Sequence, residues 1–143
     1  MTEQELGRCF EFFVKTVLEN NSVLFEYEQQ IKPKTPVLPN QVRDLIKTNL
    51  RYRKNFYEPD FIIDNSIWIE CTTKISNAPK KELLYAHQCS KLIILYLYSE
   101  NTLIEPYFAN TTYVFIDDYL RDLNVLSKYQ NELEKLRSIT NEN

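Results

Sequence analysis

The sequence predicts an α/β fold, a mixed sheet flanked by helices, from three observations. Apolar residues recur at three- and four-residue steps near both ends of the chain, short β-prone runs lie between them, and turn residues separate the runs. At 143 residues, 43% hydrophobic and 13% aromatic, the chain can bury a core of its own. A single domain over residues 1–143 is expected.

Each element has a local reason. Thr2 and Glu5 have capping-box spacing, and Leu6, Phe10, Phe13, Val14 and Val17 follow at helical intervals, so residues 3–19 read as an amphipathic helix that Asn20-Asn21 ends. Residues 23–29 alternate as a strand. Pro33, Pro36 and Pro39 then impose an extended connection, followed by a short helix over residues 41–48. Ile62-Ile63 and Ile67-Trp68-Ile69 flank the turn residues Asp64-Asn65-Ser66, which makes them an antiparallel hairpin. Asn77-Ala78-Pro79 opens a helix over residues 80–90 that carries Leu83, Leu84 and Gln88 inward. The nearly continuous hydrophobe from Lys91 to Tyr98 suits a central strand covered on both faces. Residues 113–116 read as another strand. Asp117-Asp118 then begins a final helix through Tyr119, Leu120, Leu123, Leu126, Tyr129, Leu133 and Leu136, with a frayed tail beyond Ser138. The predicted order is α-β-β-β-α-β-β-α.

Composition excludes several classes. The longest apolar run is too short to span a bilayer, and the N-terminus is polar and acidic where a signal peptide would be basic, so an intracellular protein without a membrane partner is expected. Cys9, Cys71 and Cys89 are odd in number and lack paired spacing, which indicates neither a disulfide framework nor a zinc site. They read as small buried hydrophobes, and His87, the single histidine, as structural.

The chemistry concentrates in the hairpin. Asp60 starts its first strand and Glu70 ends its second, so antiparallel pairing sets the two carboxylates side by side, where hard oxygen donors suit a cation such as Mg²⁺. As an isolated pair they would equally read as a turn-capping Asp and an exposed strand end. Glu11 lies near the edge of the apolar stripe of the first helix, where an ordinary surface carboxylate is the plain reading.

In order along the chain, Glu11, Phe25-Glu26-Tyr27-Glu28, Pro59-Asp60-Phe61 and Glu70 resemble the PD-(D/E)XK nuclease superfamily. More narrowly, the first hundred or so residues are similar to small phage-type junction-resolving endonucleases. The resemblance implies a restriction-endonuclease-like core and a metal-dependent DNA endonuclease, with Asp60, Glu70 and Glu11 on Mg²⁺, for which Mn²⁺ can substitute. No small-molecule cofactor is implied. The family's lysine two residues after the Glu is here Thr72, and the nearest lysine, Lys74, starts about 13 Å further along a regular strand. Lys74 is the expected catalytic lysine, with Lys80 or Lys81 from the following helix as alternatives. A catalytically inactive DNA-binding or dimerisation module of the same fold is the competing reading, and Thr72 is its support. Gln88 is a candidate phosphate or metal-shell contact, because some relatives use a Gln in this helix.

A net charge of −3 opposes binding to phosphates on average, but its distribution does not. The insertion at about residues 32–54 holds seven basic residues against Asp44 alone, a local balance of +6. Arg43, Lys47, Arg51, Tyr52, Arg53 and Lys54 there, with Lys80 and Lys81, are the expected DNA contacts. One such domain cuts one strand, so a symmetric double cut requires a homodimer or larger assembly. The aromatic segment over residues 96–113 and the exposed part of the final helix are its candidate interfaces.

Overall fold

The computed structural model describes residues 2–29, 31, 57–64, 66–100 and 103–139. The proline connection, the short helix over residues 41–48 and the tail past residue 139 lie outside the described residues. In chain order the elements are α1 (Glu3–Asn20), β1 (Glu26–Tyr27), β2 (Phe61–Ile63), β3 (Ile67–Lys74), α2 (Ala78–Tyr85), β4 (Lys91–Tyr98), β5 (Thr111–Phe115), α3 (Ile116–Asp122) and α4 (Leu126–Ser138). The five strands form one sheet in sequence order, antiparallel from β1 to β3 and parallel from β3 to β5. This is the expected α/β class with a mixed sheet.

Side-chain alternation along the strands divides the core in two. Ile69 and Cys71 of β3 and Leu95 and Leu97 of β4 face α1, α3 and α4, where Phe10, Val14, Leu18, Leu120 and Leu133 meet them. On the other face Trp68, Leu92 and Ile94 pack under α2 with Leu84 and Tyr85. A strand covered on both faces must be apolar at successive positions, which is why β4 has no polar residue after Lys91 except tyrosine.

Several boundaries differ from the sequence reading. Thr2 caps α1 as expected, its hydroxyl accepting from the Glu5 N–H at 3.1 Å. The strand expected over residues 23–29 shortens to Glu26–Tyr27, and at its C-terminal end Glu28 takes a left-handed φ of 51°. Its N–H still donates to the Asp60 carbonyl at 3.1 Å, and pairing resumes where Ile31 and Tyr57 exchange backbone hydrogen bonds of 2.7 and 2.6 Å. The helix expected over residues 80–90 starts earlier, with Pro79 in its first turn, and ends as a 3₁₀ turn over Ala86–Gln88. The strand over residues 113–116 begins at Thr111 instead, and Ile116 belongs to α3.

The final helix is two helices. Asn124 adopts a φ of 61°, its N–H donates to Arg121 O, and the Val125 N–H reaches back to Leu120 O at 2.9 Å. This Schellman ending closes α3 before α4 begins, and Asn tolerates the left-handed region better than most residues.

Two buried or half-buried charges fasten the periphery. Glu82, fully buried on α2, accepts from the backbone N–H groups of Tyr107 and Phe108 at 3.1 and 2.8 Å and from the Tyr113 hydroxyl. Arg137 at the end of α4 pairs with Asp117 and donates through Nε to Leu97 O at 3.0 Å. These contacts hold the β4–β5 connection and the last helix against the sheet.

Candidate active site

The site begins with a mismatch in strand length. β2 pairs with β3 only from Phe61 opposite Ile69 to Ile63 opposite Ile67, whereas β3 runs on beside β4 to Lys74 opposite Tyr98. Past Ile69 the β2 side of β3 therefore lacks a regular ladder, and side chains take over the pairing. The Asp60 N–H donates to Glu70 Oε2 at 2.6 Å, and the Cys71 N–H donates to Asp60 Oδ2 at 2.8 Å. The two carboxylates expected to converge thus do so, interlocked through backbone amides.

The opening left by β2 is a cleft of about 630 Å³ walled by the N-terminal half of α1, the end of β3 and the start of α2. Glu11, Glu28, Glu58 and Asp60 line it on one side, with Arg8, Thr72, Thr73 and Lys81 among its other walls. Glu70 lies behind this lining and is fully buried. Its Oε1 accepts from Lys81 Nζ at 3.3 Å, and a carboxylate taken wholly out of water requires such a partner. Lys74, the lysine expected from sequence, is exposed at the end of β3 and is not among the cleft residues. Of the alternatives from α2, Lys81, one turn into that helix, is the one that reaches Glu70. Lys80, its neighbour, is exposed.

Electrostatics concentrate at Asp60. Burial, the charge of Glu70 and a hydrogen bond shared with Glu11 all push its carboxyl well above the ordinary range, and Lys81 offsets only part of this. Burial and the neighbouring Glu11 raise Glu28 in the same way. Burial, and then Asp60, Glu70 and Glu11, hold the Cys71 thiol well above its usual value. Tyr27 at the end of β1 donates to Glu11 Oε2 at 2.6 Å.

The donor set suits a hard divalent cation. Its ligating atoms are carboxylate oxygens, and the mutual repulsion recorded at Asp60 is what a bound cation relieves. Among the described residues no three His, Cys, Asp or Glu side chains form a complete ligand group. Mg²⁺ commonly binds through one or two carboxylates while keeping several waters, and Asp60 and Glu11 are the cleft carboxylates that could hold it.

Glu28, Glu58, Arg8 and Tyr27 are cleft or cleft-supporting residues that the sequence reading did not single out as site residues. Glu58 adjoins Pro59-Asp60, and Glu28 and Tyr27 belong to the Phe25-Glu26-Tyr27-Glu28 run, so adjacency to the motif was the available signal. Thr72 lines the cleft, its hydroxyl 3.5 Å from Lys74 O. Gln88 is buried in the 3₁₀ turn after α2, away from the cleft lining. Arg43, Lys47, Arg51, Tyr52, Arg53 and Lys54 lie outside the described residues. Among those described, no helix is long and apolar enough to cross a membrane.

Comparison with protein-family models, with curated proteins and with solved structures gives no match to this chain.

Proposed function

We propose that the chain is a Mg²⁺-dependent DNA endonuclease of the PD-(D/E)XK type, with a restriction-endonuclease-like core. The observation that carries the reading is the buried interlock of Asp60 and Glu70 in the wall of a carboxylate-lined cleft, with Lys81 on Glu70. A hairpin feeding two parallel strands, with helices on both faces, supports the fold assignment.

Asp60 and Glu11 would hold the cation, with Glu28 beside them; Glu70, expected from sequence on the metal as well, lies behind the cleft lining and is fully buried. When bound, the cation supplies neutralisation of charge developing on the phosphate and acidifies the attacking water. Glu70 fixes the Asp60 backbone and anchors Lys81. Lys81 is the cation placed to orient the water or steady the phosphate, the duty that the family's lysine performs from the position that Thr72 occupies here. Sequence-specific restriction or homing and junction resolution share this chemistry and differ in what the remaining surface reads.

The test is nicking of supercoiled plasmid with Mg²⁺ or with EDTA. Wild type is expected to nick only with the metal, and Asp60→Ala and Glu70→Ala to bind DNA without nicking it. The inactive-module reading, favoured by Thr72 lining the cleft in place of a lysine, predicts DNA binding without cleavage by every variant including wild type.

A further inference from the structure

Glu11 reaches the cleft from the middle of α1. One side chain outside the cleft lining does contact it. Tyr27 donates its hydroxyl to Glu11 Oε2 at 2.6 Å across sixteen positions of sequence. The ring is itself held on two sides, lying against Phe61 with centroids 5.4 Å apart and under Lys15 Nζ at 4.5 Å. Phe61 is fully buried in the α1 face of the core, so the hydroxyl is referenced to the sheet rather than to the helix.

We propose that Tyr27 is a positioning residue that fixes the Glu11 carboxylate in the cleft for a divalent cation, an inference that rests on the metal-dependent reading of the site. Burial, the hydrogen bond to Glu11 and the charges of Glu11 and Glu28 hold the Tyr27 phenol far above its ordinary range. A donor on Oε2 orients the carboxylate and restricts the directions its second oxygen can take, the part played by hydrogen-bonded partners behind metal ligands generally. The short β1 strand acquires a purpose on this account. Two residues of pairing suffice to set Tyr27 opposite Phe61, after which Glu28 turns out of the ladder into the cleft wall.

The experiment is calorimetric titration with Mn²⁺, without DNA, of wild type, Tyr27→Phe, Glu11→Gln and the double variant. Tyr27→Phe keeps the ring contacts and removes only the hydroxyl, so its thermal midpoint is expected close to wild type. Its Mn²⁺ affinity should fall about 10- to 100-fold, the usual loss when such a partner is removed. If Tyr27 acts through Glu11, the double variant should bind no more weakly than Glu11→Gln alone. Equal affinity for wild type and Tyr27→Phe, or full additivity in the double variant, overturns the inference while leaving the nuclease reading intact. Absence of Mn²⁺ binding by wild type overturns both. Lys15→Met removes the cation over the same ring and keeps the hydroxyl. A loss in that variant equal to that of Tyr27→Phe would assign the effect to ring packing and overturn the positioning role.

Discussion

Asp60 has opposite relations to its two kinds of neighbour. Its backbone and carboxylate tie two strands together through Glu70 and Cys71, while the charges of Glu70 and Glu11 oppose its ionisation. A carboxyl whose folded pKa is raised contributes stability that is full below the ordinary carboxyl range and is lost as pH rises through the raised value, because the folded chain then retains a proton that the unfolded chain has released. Glu28 adds a contribution of the same sign. Urea midpoints without metal should therefore fall in wild type as pH rises above the ordinary carboxyl range. The decline should be shallower in Asp60→Asn, whose side-chain oxygen can still accept from Cys71. Parallel pH profiles for the two proteins would show that Asp60 is not the source. Asp60 and Glu70 were legible in sequence because hairpin pairing converts ten positions of separation into adjacency. Which lysine meets Glu70 was not, since reaching Glu70 from α2 depends on how that helix crosses the sheet, a property of packing rather than of local pattern.

At the scale of elements, the sequence disclosed what period and turn chemistry encode. α1 and β4 match their apolar patterns closely, and the hairpin sits on Asp64, which takes a φ of 54°. What it hid were interruptions, each marked by a single left-handed residue. Glu28 follows the two residues of β1, and Asn124 divides an apolar stripe whose three- and four-residue steps continue across the break. Asn124→Gly should leave the urea midpoint unchanged or slightly raised. Asn124→Val, which places a β-branched side chain at positive φ, should cost about 1–2 kcal/mol. Equal destabilisation by both would mean that the Asn side chain, rather than the backbone conformation, closes α3. Glu82 is the other feature that pattern concealed. A carboxylate in the middle of α2 reads as a solvated residue, yet it is fully buried because the backbone of Tyr107 and Phe108 supplies its donors.

For the molecule as a whole, charge separates into an acidic cleft and a basic insertion. Residues 32–54 carry +6 and leave the remainder of the chain at −9. Ile31 and Tyr57, which flank the insertion in sequence, pair with one another, and Glu28 and Glu58 a few positions outside them line the cleft. Neutralising Arg51, Arg53 and Lys54 together should weaken DNA binding in EDTA and flatten its salt dependence. The slope of log affinity against log salt should shallow by about 0.9 for each duplex phosphate that the variant no longer neutralises. An unchanged slope would remove these residues from the interface.

The proposed hydrolysis of phosphodiesters in this cleft would use a metal held by Asp60 and its neighbours. It is tested most directly by cleavage of end-labelled linear duplex, single strand and four-way junction, beside supercoiled plasmid, by wild type and Asp60→Asn in Mg²⁺ or EDTA. The account predicts cutting of at least one substrate by wild type in Mg²⁺ alone, with products absent for Asp60→Asn at equal DNA binding. Cutting that survives in Asp60→Asn, or DNA binding by wild type with no cutting of any substrate in Mg²⁺ or Mn²⁺, would contradict it.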